Sequence, residues 1–381
     1  MAKNTTTSRQ WWPTICVIIM LLGALASIYA TPVTRLNKLP PPPPPPSPTP
    51  PPFTISTDPL IAEYEQKFLA PRSTSGTFLT AFGDIMLDRL VRTYMDRNGL
   101  DYPFAKMDIG YLLANNILVA NLEGPIAKKR IKTSKSIAFR FDPDIVPLLQ
   151  KYYFDALSAA NSHARDMGQP GLDDSFDLLN ATSIKLFGDP GKVVDRSVAK
   201  FDANKIAFLG LEEVVYKIDT AAAIAKIKEL TAQGYKVIPF LHRGIEYQHK
   251  PNKRQQQLAH EFIDAGAFAV IGAHPHVVQT YETYKNHPIF YSLGNAIFDQ
   301  DFSPDTQEGL SIGMIINPDQ IEIYFFPIKI IHSQMQLMNE NERSEFLKRF
   351  VTYGEYATEV ERQQIAQGHL SIPLTKINFP L

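Results

Sequence analysis

The sequence predicts an α/β sandwich, and three observations carry that prediction. From Thr77 onward short apolar runs alternate with helical stretches, the pattern of parallel strands joined by crossover helices. Polar residues recur at the carboxyl ends of those runs, the edge of an open α/β sheet where loops converge on one crevice. After His276 the texture changes to consecutive strands, as of an antiparallel set completing a second sheet.

Composition sets the frame. The 381 residues carry Lys+Arg 38 against Asp+Glu 39, a formal net charge of -1. Such a balance excludes a general nucleic-acid binder, so no nucleic-acid partner is expected. At 44% hydrophobic and 20% charged the chain reads as globular. Cys16 is the one cysteine, which excludes a disulfide scaffold and a thiolate zinc site. Of the 30 prolines, 11 fall between Pro40 and Pro52.

Residues 1–10 form a short polar tail, expected on the cytoplasmic side. Residues 11–30, WWPTICVIIMLLGALASIYA, are apolar and uncharged. At about 1.5 Å per residue such a helix spans roughly 30 Å of hydrocarbon. Lys3 and Arg9 precede it, and Trp11 and Trp12 sit where an interfacial aromatic belt belongs. Ala24-Leu25-Ala26 offers the alternative of a signal-peptide cleavage site. The apolar run continues past it, which favours a retained single-pass anchor. Either way the rest of the chain is expected outside the cytoplasm, and the retained anchor would hold it at the cell membrane.

Residues 31–76 read as a linker. Pro40–Pro52, broken only by Ser47 and Thr49, favours an extended polyproline II rod, a spacer of roughly 40 Å. A short helix is expected at Pro59–Leu69. The main domain, residues 77–330, follows with strands at Thr77–Phe82, Ile117–Ala120, Phe154–Ala159, Ile206–Leu209, Val237–Leu241 and Phe268–Ile271. Helices fit at Ile145–Lys151, Asp173–Asn180, Thr220–Gln233 and Lys253–Ala265, with Gly234 as a C-cap signal. Later strands fit Val277–Tyr284, Ile289–Leu293, Ser311–Ile316 and Gln320–Phe326. Residues 331–381 read as a C-terminal helical extension.

The strand ends carry Asp84, Asn121, Glu123, His163, His242, His274 and His276. Singly, an aspartate after glycine is a turn residue and a lone histidine a surface group. His274-Pro275-His276 is more specific: two imidazoles at i and i+2 of an extended segment point to one side and share a site. Imidazole with carboxylate suits a divalent transition metal, Mn, Zn or Fe. Hydrolytic chemistry on an ester or related bond is the matching reaction class. The chain has neither a GxxxxGK[ST] loop nor a G-x-S-x-G elbow, which argues against a nucleotide-driven kinase and a serine hydrolase.

At this point the residues resemble a known family. Gly83-Asp84-Ile85-Met86-Leu87-Asp88-Arg89 resembles the GDIMLGR-type opening motif of the CapA family of capsule-synthesis proteins, associated with bacterial poly-γ-glutamate. Asn121–Ile126 is similar to its NLExP block and Ala160–Gly168 to ANNHxxDxG. His242–Tyr247 is similar to HWGxEY, Gly272–Gln279 to GHHPHVVQ, and Tyr291–Gln300 to YSLGNFxFDQ. Six blocks arrive in order over roughly residues 77–330.

The resemblance implies a metallophosphatase-like β-sandwich flanked by helices in αββα order. It implies Asp84, Glu123, His242, His274 and His276 as metal-site residues. Asn161 and His163 would stand beside the metal, His163 as general acid, with Glu246 orienting His242 or facing substrate. Asp166 would support the loop carrying His163. Four positions depart from the pattern: Met86 where a metallophosphatase has histidine, and Ser162, Arg243 and Ala273 within the blocks. They point to one metal rather than a full pair.

Lys128, Lys129, Arg130, Lys132, Lys135 and Arg140 follow the Asn121–Glu123 block with no acid among them. As a groove they would guide an anionic polymer such as poly-γ-glutamate toward the strand ends. The expected function is a membrane-anchored, extracytoplasmic part in making or exporting that polymer, with hydrolase or transferase activity. The alternatives are a non-catalytic assembly subunit of a membrane synthase, or a metallophosphoesterase acting on the cell envelope.

Overall fold

The computed structural model describes residues 54–70, 76–354 and 357–374. All belong to the unit Pro46–Leu381. The expected tail, apolar span and proline rod lie outside the described residues. Among the described residues no helix is long and apolar enough to cross a membrane.

The described chain opens with the helix Pro59–Leu69, as expected from sequence. Pro59 supplies the fixed φ of a first helical residue, and the Asp58 side chain accepts from the Leu60 and Ile61 amides. Strand β1 (Thr77–Ile85) alternates cleanly. Phe78 and Phe82 face a core beneath helices, whereas Leu79 and Ala81 face a second sheet. β2 (Ile117–Leu122) repeats the pattern, with Leu118 and Ala120 on the helix side and Ile117 and Val119 between sheets. β3 (Ala156–Ser158) and β4 (Lys185–Phe187) continue this parallel set.

The second sheet begins with β5 (Val198–Phe201) and β6 (Ile206–Glu212), followed by the parallel strands β7 (Lys236–His242) and β8 (Val270–Ala273). Here Phe208, Ile238 and Phe240 face the inter-sheet core. Leu209, Val237 and Leu241 face the helices Thr220–Ala232 and Lys253–Asp264. Three cores therefore separate four layers, helix–sheet–sheet–helix. A fully buried phenylalanine in such a core contributes on the order of 2 kcal/mol.

The later strands divide between the sheets instead of forming one antiparallel set, a correction to the expectation from sequence. β9 (Tyr281–Tyr284) and β10 (His287–Phe290) join the second sheet, β10 lying parallel to β8. β11 (Asn295–Ile297), β12 (Glu308–Ile316) and β13 (Gln320–Ile331) join the first, and β12 runs antiparallel to β1. The reason is edge capping. A two-period pattern defines a strand's faces but not which open edge it covers, and both β1 and β8 offered one.

The segment after residue 330 holds the helices Glu340–Phe350 and Glu359–Ala366, but it also contributes strands. β14 (Gln334–Leu337) and β15 (His369–Pro373) both pair with β13. Among the described residues the sheets thus have nine and six strands, ordered β14-β13-β12-β1-β2-β3-β4 (with β11 on β1 and β15 on β13) and β5-β6-β7-β8-β10-β9. Helices at Arg89–Asn98 and Ile109–Leu113 were not expected from sequence. The first is mostly polar, and although Leu90, Val91, Tyr94 and Met95 recur at helical spacing the period covers little more than one turn; the second has only five residues.

Candidate metal centre

Both sheets deliver their carboxyl-terminal edges to one place. Asp84 and Asn121 lie inside the last turns of β1 and β2, in register with each other, rather than just beyond the strands. The ladder shifts between Ala81 and Asp84, a bulge-like irregularity that re-aims the aspartate. His242 is the final residue of β7, and His274 follows β8 directly. Two glycines permit the approach of the chain after β10. A Cβ on Gly83 would lie 1.9 Å from the Gly294 carbonyl oxygen, and one on Gly272 2.0 Å from that of Tyr291. This brings Asn295 beside Asp84 in a parallel pairing.

The site is buried. Asp84, Asn121 and Glu123 have no exposed surface, and His242, His274 and His276 are almost fully covered. The Asn121 amide nitrogen donates to Asp84 Oδ1 at 2.7 Å and Glu123 Oε2 at 3.3 Å, and stands 3.4 Å from His242 Nδ1. His276 Nδ1 lies 3.0 Å from Asn295 Oδ1 and 3.4 Å from Asp84 Oδ2, and its Nε2 lies 3.7 Å from Glu123 Oε1. Asp84, Glu123 and His242 form one triplet of possible ligands, with donor atoms within 4.8 Å of one another. Glu246, His274 and His276 form another by the same measure, Glu246 being exposed. Glu246 therefore sits with the two later histidines, not against His242.

The His-Pro-His segment corrects one sequence argument. His274 and His276 have φ of 98° and 59°, so the segment is not extended. Such conformations cost of order 1–3 kcal/mol each and persist where the surroundings impose them. Here the His274 amide donates to Asp84 Oδ2 at 3.3 Å, and the Pro275 carbonyl accepts from the Tyr247 amide at 2.8 Å. The two imidazoles still reach one site, by left-handed kinks instead of pleat alternation.

Three buried ligand atoms here have no hydrogen-bond partner among the described residues: Glu123 Oε1, His242 Nε2 and His274 Nδ1. Burial pushes the Glu123 carboxyl well above the usual carboxylate range, and Asp84 and Glu246 push it further. Burial holds His242 well below the usual imidazole range, with His274 and His276 adding to the effect. His274 is pulled down to about 4, first by burial and then by His276. Orphaned, converging oxygen and nitrogen donors of this kind are satisfied by a divalent cation, which replaces the lost solvation. The residues fit a transition metal through carboxylate and imidazole.

His163 and Asn161 stand at the rim. Asn161 is buried and donates to Asn121 Oδ1 at 3.0 Å and to the Leu122 carbonyl at 2.8 Å, while its own Oδ1 accepts from the His163 amide. His163 Nδ1 meets Asp166 Oδ2 at 2.6 Å, so Asp166 touches the imidazole itself rather than only supporting its loop. Met86 is buried, and its sulfur accepts from the Asp88 amide at 3.1 Å. Arg243 turns away to Glu213 at 2.6 Å.

The basic run is less free than its sequence suggests. Lys128 pairs with Asp174 at 2.9 Å, Arg130 with Asp88 at 2.5 Å, Lys135 with Asp166 at 2.6 Å, and Arg140 with Asp142. Each acid lies outside the run, Asp142 just beyond its end. Lys129 and Lys132 are exposed, and no ion pair is formed by either among the described residues. Sequence reasoning assigned no role to Asn295, which positions His276. Its signal was an amide side chain inside the mostly apolar Tyr291–Phe298 block.

The layers and the donor set define a class: an α/β protein that fits a metallophosphatase-like fold, with a candidate metal centre where two sheets meet. The family model described as "Bacterial capsule synthesis protein PGA_cap" matches residues 78–300, more than half of the chain, and the chain belongs to that family. It is similar to "PGA biosynthesis protein CapA" of Bacillus subtilis (strain 168), 31% identical over 240 residues that cover 58% of this chain and 63% of the relative. It is also similar to "Capsule biosynthesis protein CapA" of Bacillus anthracis, 30% identical over 253 residues covering 59% and 60% respectively. The chain thus spans about three fifths of the length of the curated relatives it matches.

Proposed function

We propose that this protein acts in the biosynthesis of poly-γ-glutamate capsule polymer, as a metal-dependent hydrolase or transferase held outside the cytoplasm by residues 11–30. The supporting observation is the set of three orphaned, buried donors, Glu123 Oε1, His242 Nε2 and His274 Nδ1, beside a His163–Asp166 pair. Membership of the capsule synthesis family and the names of the two Bacillus relatives support the polymer.

Asp84, Glu123 and His242, with His274, His276 and Glu246 alongside, would hold Mn, Zn or Fe. Bound there, such an ion supplies Lewis-acid polarisation of the group under attack. The chain's own residues do the rest. Asn121 and Asn295 hold the ligands in orientation through their amides. Asp166 accepts from His163 Nδ1, so Nε2 is the nitrogen that takes up a proton from solvent, forming the imidazolium, and delivers it to the leaving group, which returns the ring to its neutral Nδ1-protonated form. Lys129 and Lys132 attract the polyanion.

A second reading, a non-catalytic assembly subunit of a membrane polymer synthase, draws support from Met86 at the metallophosphatase histidine position. Elemental analysis of the purified chain after supplementation with Mn, Zn or Fe tests the metal. A wild-type chain that takes up none of them overturns the enzymatic reading. Polymer output from cells carrying Asp84→Asn, at matched protein level, tests the role: output should fall to background.

A further inference from the structure

We propose that Lys135 is a positioning residue for His163, acting through Asp166. This rests on His163 being the proton donor of the function proposed above. Asp166 is 2% exposed, and a carboxylate buried so deeply needs a countercharge and a full set of donors. Lys135 Nζ reaches its Oδ1 at 2.6 Å. Its Oδ2 accepts from the Phe139 amide at 2.7 Å and meets His163 Nδ1 at 2.6 Å. Lys135 Nζ also donates to the carbonyl of Ser162, the residue before His163, at 2.6 Å. One ammonium therefore ties down both the carboxylate that orients the imidazole and the backbone that carries it.

The loop that presents Lys135 is itself anchored. Asp88 Oδ2 accepts from Arg130 Nη2 at 2.5 Å and from the Arg140 amide at 2.9 Å, and Arg140 Nη1 donates to the Ala127 carbonyl at 2.8 Å. Those bonds close the base of a loop with Lys135 toward its apex. The same loop lays the Phe139 ring 4.2 Å from the His163 ring, between their centres. It thus supplies a countercharge, an amide and an apolar wall to one histidine. A carboxylate only accepts, so its contact with Nδ1 makes that nitrogen the donor and leaves one tautomer. Lys135, read from sequence as part of a polymer-guiding run, is committed instead to holding that tautomer in place.

The test uses the full chain labelled with 15N-histidine, the His163 imidazole signals being assigned by their loss in His163→Asn. Wild type should show a single tautomer with Nδ1 protonated. Lys135→Met should give averaged tautomers, and Lys135→Arg should restore the single one. Lys135→Gln, which keeps a donor to Ser162 and loses the charge, should behave as Lys135→Met does and serves if that variant folds poorly. Polymer output should fall about 10-fold in Lys135→Met, the usual effect of losing a group that orients a functional one. Metal content should be unchanged. Lys226→Met, on an outer helix, should alter nothing.

An unchanged His163 signature in both Lys135→Met and Lys135→Gln overturns the proposal. The function fails separately: a changed signature with full polymer output in His163→Asn upholds the positioning role and removes the catalytic one.

Discussion

Asp84 and His276 meet across the two sheets, Oδ2 of one 3.4 Å from Nδ1 of the other. Asp84 is the penultimate residue of β1 in the first sheet, and His276 follows β8 in the second. Their contact is one of several that join the two sheets at this edge, with His276 Nε2 to Glu123 Oε1 at 3.7 Å and the His274 amide to Asp84 Oδ2 at 3.3 Å. Each is buried, so an ion held there would be shielded from solvent screening and bound by directional ligands.

Replacing His274 and His276 together with alanine should remove most bound Mn, Zn or Fe from the purified protein. Even an outer group that merely orients a ligand is worth 10–100-fold in affinity, on the usual scale, and here two direct donors are lost. Elemental analysis of variant and wild type after the same supplementation measures this. The variant keeping a full complement of metal would place the ion elsewhere.

The close approach that builds the site predicts a steric effect with no change of chemistry. Gly83→Ala would set a Cβ 1.9 Å from the Gly294 carbonyl, forcing β1 and the chain after β10 apart. Overpacking of this kind costs roughly 1–3 kcal/mol. Thermal unfolding should show the loss of stability, and metal content should fall with it because Asp84 is the next residue. Unfolding at the wild-type temperature would contradict the packing described here.

Much of this was legible in the sequence, and the exceptions have physical causes. The helices Pro59–Leu69 and Ile145–Lys151 have the bounds expected of them, because the apolar residues that define them, and the Asp58 cap of the first, lie within a few adjacent positions. Strand edges are long-range properties. Nothing local in Glu308–Ile316 says that it will cap β1 rather than extend the second sheet. At the centre, Asp84, Glu123, His242, His274 and His276 were recognisable as chemistry-bearing types, and the structure brings all five together. The grouping of Glu246 with His274 and His276, and the service of Asn295, depend on backbone kinks at His274, His276 and Tyr247 that sequence spacing does not encode. The pairing of the basic run was equally hidden, because its partners Asp88, Asp166 and Asp174 are far along the chain.

The ion pairs sharpen the expectation for polymer binding. Lys129 and Lys132, exposed and outside the ion pairs of their neighbours, should matter more than Lys128 or Arg130. Replacing both with serine should weaken binding of poly-γ-glutamate by about 1 kcal/mol, about five-fold, at low salt. The difference should shrink as ionic strength rises and the Debye length shortens. Equilibrium binding in a salt series tests this, and an equal effect from Lys128→Ser alone would argue that the ion pairs do not restrict the loop.

Glu65 gives a pH prediction away from the metal. It is buried on the helix Pro59–Leu69, where Oε2 accepts from the Ser56 amide at 2.6 Å and Oε1 has no partner among the described residues. Its carboxyl is pushed up from 4.5 to about 7, chiefly by burial, with the Ser56 amide opposing and Asp108 adding. The folded protein therefore binds this proton more tightly than the unfolded chain. Below 4.5 both states are protonated and there is no penalty. Stability falls as pH rises from there, and above 7 the full cost of carrying the ionised carboxylate applies. Glu65→Gln should leave stability unchanged at pH 4 and raise it at pH 8. Denaturant unfolding at both values measures the effect, and a variant no more stable at pH 8 would show that the folded protein carries the ionised carboxylate without cost.

The last prediction separates chemistry from scaffolding. His163 contacts Asp166 and the Phe139 ring, and its amide is held by Asn161, so its own side chain is not needed to tie the metal residues together. His163→Asn keeps a polar side chain of similar size and should leave metal content and unfolding temperature at wild-type values. If the histidine delivers a proton to the leaving group, turnover should fall on the order of 100- to 10,000-fold, the usual contribution of a positioned acid. Polymer output at matched protein level should fall with it. A subunit that only binds or assembles makes the opposite forecast. Output would survive His163→Asn and drop instead when Lys129 and Lys132 are neutralised, since binding depends on charge and not on proton transfer. The convergence of strand ends from both sheets on one buried set of donors favours the first outcome, because a surface built only for docking would not bury three donors without partners.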